Sequence, residues 1–178
     1  MNYNNKDWIW KKINHEIKYK NDYISSKNKK ISSSLVSLLT NISLQTTVFN
    51  ENQQKDRCIG VIIITFNNNS NFHQIDIYVN DEYPFRAPIV LLNGIHYIRY
   101  YKNLYTKYSN FINKYNINLI CPCCDSITCN WSPIYKIWDI IFEILRFEDS
   151  ISKVYKYYII TFLNFDRLIN DKIKEFVF

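Results

Sequence analysis

Apolar positions recur at three- and four-residue intervals towards both ends of this chain and at two-residue intervals in its middle. Trp10, Ile13 and Ile17 share one helical face, while Lys11, Lys12, Glu16, Lys18 and Lys20 fill the others. This spacing predicts an amphipathic helix with a basic outer face, capped by Asp7 and starting at Trp8. Residues 25–34 are polar and lysine-rich and read as a loop, and 35–44 pass from a short helix or turn into a strand near 43–49. Val61-Ile62-Ile63-Ile64 is a β-branched run typical of a central strand. Residues 67–71 read as a turn, and over 72–79 Phe72, Gln74, Asp76 and Tyr78 alternate with His73, Ile75, Ile77 and Val79 as a strand requires. In Tyr83-Pro84-Phe85-Arg86-Ala87-Pro88 two prolines fix φ and hold the chain extended before a fourth strand over 89–92. Past Gly94 the period changes: Tyr97, Tyr101, Leu104, Tyr105, Tyr108, Phe111 and Ile112 predict a helix over 97–114. Ile137, Ile140, Ile141, Ile144 and Leu145 predict another, and one or two more follow over about 151–178. A helix, a four-stranded antiparallel meander, then helices make an α+β class.

With 178 residues, 47% hydrophobic and 17% aromatic, the chain reads as a single domain, 1–178, able to bury a core. Gly60 and Gly94 are its only glycines, which excludes glycine-rich phosphate loops of the Rossmann or Walker type. The net charge of +6 is spread along the chain, with small clusters at Lys11-Lys12 and Lys27-Lys29-Lys30. A nucleic-acid binder would concentrate it between aromatics, so a solvated surface and no nucleic-acid partner are expected. The amino-terminal residues Asn2, Asn4, Asn5 and Lys6 show no apolar signal-type run, and no stretch approaches the ~20 apolar residues of a membrane span. Five cysteines, four of them in one loop, argue against a disulfide framework and for a reducing compartment, cytoplasmic or nuclear.

Those four, Cys121, Cys123, Cys124 and Cys129, invite two chemistries. One thiol can act as a nucleophile, or several can hold a soft metal. Cys121-x2-Cys124 with Cys129 has a zinc-like spacing, but structural zinc sites pair two such elements far apart, and no second one exists. No metal and no cofactor are therefore expected. Cys58 and His73 read as a core thiol and a strand-face histidine, and His15 as a surface residue.

The order of helix, meander, Tyr83-Pro84-Phe85-Arg86-Ala87-Pro88, cysteine loop, Trp131-Ser132-Pro133 and helix resembles the ubiquitin-conjugating (E2, UBC-like) family over roughly residues 7–146. The first motif looks like the family's proline-rich turn before its fourth strand. The second, with Ile137, Ile140, Ile141 and Ile144, looks like the opening of its second helix. Cys123, eight residues before Trp131, has the commonest family spacing for the active cysteine, and Asp125 completes a Cys-x-Asp. Cys121, ten residues before Trp131 and preceded by Leu119-Ile120, is the alternative nucleophile. The resemblance implies transthiolation. The cysteine accepts the carboxyl terminus of ubiquitin or a ubiquitin-like protein from an activating enzyme (E1), and an amine then attacks the thioester, commonly with a ligase (E3). It also implies a partner surface of the first helix (Lys11, Lys12), Phe85, Ser132 and Pro133; for Phe85 and Trp131, core packing is the competing reading.

The sequence departs from the family in lacking His-Pro-Asn. His96-Tyr97 stands where the histidine is expected, and Lys114-Tyr115-Asn116-Ile117-Asn118 looks like a degraded version that leaves Asn116 as the oxyanion donor. The 97–114 helix between them reads as an insertion, and Glu148 with Asp149 is all that resembles the family's acidic loop. Three readings follow: a divergent conjugating enzyme, a non-catalytic variant kept as a binding module, and, third, a cysteine-rich zinc protein.

Overall fold

A computed structural model describes residues 3–19, 21–22, 25, 41–49, 57–68, 71–117, 119, 121, 124–162 and 172. The loop expected over 25–34 apart from Ser25, most of the helix or turn after Leu35, Cys123 and nearly all of 163–178 lie outside the described residues. The architecture is α+β: helix α1 (Tyr3–Lys18), strands β1 (Ser43–Val48), β2 (Cys58–Asn68), β3 (Asn71–Asn80), β4 (Ile89–Leu92) and β5 (Ile95–His96), then helices α2 (Tyr97–Lys114) and α3 (Ile137–Phe162). The strands form one antiparallel meander in the order β1-β2-β3-β4-β5. No helix among the described residues is long and apolar enough to cross a membrane.

The alternation read for β3 sets the two faces of the sheet. His73, Ile75, Ile77 and Val79 point inward and are buried, joined by Ile62, Ile64 and Phe66 of β2 and by Val90 and Leu92 of β4. Against this face pack Ile9, Trp10 and Ile13 of α1 and Ile137, Ile140, Ile141, Ile144 and Leu145 of α3. Burial of such side chains, at ~1.5–3 kcal/mol each, dominates the folding energy. Gly60 is where α1 crosses β2: a Cβ there would collide with the Trp10 ring and the Thr47 carbonyl.

The structure corrects the sequence reading in four places. A fifth strand follows the fourth. Asn93 and Gly94, with φ of 50° and 78°, make the two-residue turn that pairs Leu92 with Ile95. Positive φ at both positions matches the right-handed twist of a tight hairpin, and two-residue strands are too short to show a period. Helix α1 starts at Tyr3, not Trp8, so Asp7 lies inside it and caps nothing; its polar first turn carries no apolar stripe to reveal it. Glu16 is not on the outer face but 7% exposed, three residues after Ile13 on the apolar stripe. Finally, α3 runs unbroken from Ile137 to Phe162 through the expected end of the core near 146. Its continuation packs Val154 and Tyr157 against α2, with Tyr108, Ile112 and Ile117 in a second, smaller cluster.

Candidate functional site

The cysteine loop starts where α2 is closed. The Ile117 N–H donates to the Ile112 carbonyl at 3.0 Å and the Asn116 N–H to that of Asn113 at 3.3 Å, with Asn116 at φ 48°. This is a Schellman closure, and asparagine is one of the few non-glycine residues that tolerates its left-handed position. The backbone of Asn116 therefore terminates α2. Its side chain is exposed. Leu119 then packs against the smaller cluster.

Cys121 is half-buried, and its carbonyl accepts the Asp125 N–H at 3.3 Å. Cys124, Asp125 and Cys129 are exposed. Ser126 between them has no exposed surface. Its hydroxyl oxygen accepts the Cys129 N–H at 3.3 Å, and its carbonyl accepts the N–H groups of Cys129 and Asn130 at 3.2 and 3.1 Å. The Asn130 amide closes the turn by donating to the Cys124 carbonyl at 2.9 Å. Among the described residues no three His, Cys, Asp or Glu side chains stand together as a metal site requires, so Cys121, Cys124 and Cys129 do not converge on a zinc geometry.

The far end of the loop is fastened to the proline turn. Trp131 Nε1 donates to the Pro84 carbonyl at 2.7 Å, and its ring lies 6.0 Å from that of Tyr83. Tyr83 is buried and donates to Glu16 Oε2 at 3.0 Å; the same oxygen accepts the Ile137 N–H at 3.1 Å, and Trp138 Nε1 donates to the Glu16 carbonyl at 2.8 Å. Desolvation raises the Glu16 carboxyl above its ordinary value, an effect reduced by the Ile137 and Tyr83 hydrogen bonds and by Lys12 and Lys136. Burial, with Glu16 alongside, likewise pushes the Tyr83 phenol up.

Of the expected partner residues, Phe85 stands 78% exposed on the proline turn, directly after the buried Tyr83 and Pro84, and Ile134, next to exposed Pro133, is also 78% exposed. Ser132 is half-buried. Lys11 is exposed, whereas Lys12 reaches back to Glu16 at 3.9 Å and over the Trp8 ring at 5.9 Å. Trp131 serves the packing role and Phe85 does not.

Two further groups bear on the loop. Glu143 Oε2 accepts the Ile127 N–H at 2.8 Å, and its Oε1 accepts the Tyr97 hydroxyl at 2.8 Å. The Thr128 hydroxyl lies 2.8 Å from that of Tyr97. A similar pair, Tyr101 on Glu148 at 2.9 Å, is buried beneath the sheet, with His73 Nε2 at 3.7 Å from the same carboxylate. Glu148 is therefore part of a core polar cluster rather than of an acidic loop. Sequence reasoning missed these carboxylates, although Glu16 and Glu148 carried a signal: each sits on the apolar stripe of its helix, where a charge must find a partner. Comparison of the chain with family models, curated proteins and solved structures found no match.

Proposed function

We propose that this chain is a divergent UBC-like protein that carries ubiquitin or a ubiquitin-like modifier as a cysteine thioester, received from an activating enzyme and passed to an amine with a ligase. Cys123 is the proposed nucleophile and Cys121 the alternative. The observation that carries this reading is the Trp131 Nε1 to Pro84 hydrogen bond, which joins two motifs 47 residues apart at the exit of the cysteine loop. On the two motifs so joined, Phe85, Pro133 and Ile134 are exposed apolar side chains suited to contact with a protein partner. Asp125 on the exposed turn and Asn116 at the entry are the remaining polar groups proposed for the site.

A second reading, a non-catalytic binding module, is favoured by Asn116, whose backbone is committed to closing α2. One experiment separates the two. Purified protein is incubated with a ubiquitin-activating enzyme, ATP and ubiquitin, then run on a non-reducing gel beside a thiol-treated control. A reducible adduct lost in Cys123→Ala and retained in Cys121→Ala supports the enzyme and its nucleophile. No adduct, with ubiquitin or with other modifiers, supports the module.

A further inference from the structure

Resting on the reading of this loop as the thioester site, we propose that Glu143 and Tyr97 are positioning residues that fix the second half of the cysteine loop and so govern how its thiols are presented. The geometry is a connected set of four groups on three elements. Tyr97 opens α2, Glu143 lies on the second turn of α3, and Ile127 and Thr128 belong to the loop. The single phenolic proton of Tyr97 goes to Glu143, so the Thr128 hydroxyl donates to the Tyr97 oxygen. Each carboxylate oxygen thus receives one donor, from Tyr97 or from the Ile127 N–H. Hydrogen bonds to a carboxylate are about twice as strong as neutral ones.

The tie sits where it controls the cysteines. Ile127 and Thr128 follow the fully buried Ser126, with exposed Cys124 on one side and exposed Cys129 on the other. Releasing the Ile127 N–H and the Thr128 hydroxyl leaves the Ser126–Asn130 turn held by its own short bonds and by the packing of Ile127 on the core. Desolvation raises Glu143, opposed by the Ile127 and Tyr97 hydrogen bonds and by Arg146, as expected for a carboxylate held away from water to bind the loop. The two other Tyr–Glu pairs among the described residues join core elements; neither tyrosine hydroxyl hydrogen-bonds to the loop.

The test measures alkylation of each loop cysteine by limiting iodoacetamide, read by peptide mass spectrometry on the full-length chain. Glu143→Gln and Tyr97→Phe are expected to speed modification of Cys124 and Cys129 by roughly five- to tenfold, and the double variant no more than Glu143→Gln alone. Thr128→Val, which keeps the shape and loses the hydroxyl, is expected to raise the rates, and Thr128→Ser to restore them. Tyr101→Phe, at the remote pair, is expected to leave them within about twofold. Unchanged rates in the Glu143, Tyr97 and Thr128 variants, or an equal rise in Tyr101→Phe, would overturn the assignment. Thioester formation is followed in parallel. If no variant and no wild type forms an adduct while the alkylation pattern holds, the thioester reading falls and the positioning role stands. Wild type and Glu143→Gln charging alike with unchanged alkylation overturns the positioning role alone.

Discussion

The molecule packs two regions by different physical means. Between the sheet, α1 and α3 the core is mainly aliphatic, with aromatic rings such as Trp10, Phe66 and Trp138 in the minority: Ile62, Ile64, Ile75, Ile77, Val90, Ile140, Ile141 and Ile144 retain no exposed surface. Between α2 and the later turns of α3 the smaller region is aromatic. Phe111 meets Tyr157 at 5.4 Å and Tyr158 at 5.3 Å, and Tyr115 meets Tyr157 at 5.3 Å, all edge-on. Aliphatic burial is non-directional and scales with area. Ring pairs add a preferred geometry. The cysteine loop is strung between the two. It leaves the aromatic region at Ile117 and Leu119 and ends on the aliphatic one at Trp131 and Ile137. Its exit is thus tied to the better sealed half, where Glu143 and Pro84 also hold it.

That contrast can be broken by substitution. Ile77→Ala in the aliphatic core is expected to cost about 3–4 kcal/mol, and Ile112→Ala in the aromatic region nearer 2 kcal/mol, by urea unfolding; equal losses would mean that the regions do not differ. Gly60→Ala is expected to cost about 2–3 kcal/mol by the same measurement, because the added methyl meets the Trp10 ring and the Thr47 backbone together. Trp131→Phe, which removes the hydrogen bond to Pro84, is expected to cost about 1 kcal/mol and to loosen the loop exit, seen as faster amide exchange over 127–131.

The pH dependence sharpens the comparison. Glu16 and Glu143 have folded pKa values raised above the ordinary 4.5, so the folded state binds more protons than the unfolded one between that value and the raised ones. Stability from this source is full below pH 4.5 and is lost as pH rises through the raised values. Glu16→Gln and Glu143→Gln should each flatten the fall in unfolding free energy on going from pH 4.5 to 7, and an unchanged slope would contradict their burial. The smallest effect is expected at Phe85→Ala, within about 0.5 kcal/mol of wild type because the ring is exposed, while the proposed conjugating function predicts weakened capture by an activating enzyme or ligase in a binding assay.

Much of the aliphatic region was legible because its physics is periodic. The alternation of Ile75, Ile77 and Val79 names the inner face, and the repeat from Tyr97 to Ile112 places α2 over the span expected for it. The candidate site was legible as a place, a cysteine loop flanked by Tyr83-Pro84-Phe85 and Trp131-Ser132-Pro133, but not as an arrangement. That Trp131 reaches Pro84, that Asn116 ends a helix, and that Tyr97 meets both Thr128 and Glu143 depend on residues 31 to 47 positions apart or on a single φ, to which no local pattern points.

By itself, then, the sequence determined the α+β class, the inward faces of the strands and helices, and the concentration of thiols in one loop, since each follows from local spacing of side chains. Only the tertiary structure decided which carboxylates are buried and which phenols they receive. Tyr83 on Glu16, Tyr97 on Glu143 and Tyr101 on Glu148 are pairings between separate elements. A desolvated charge takes whichever donor the packing brings within reach, and that is set by how the elements meet.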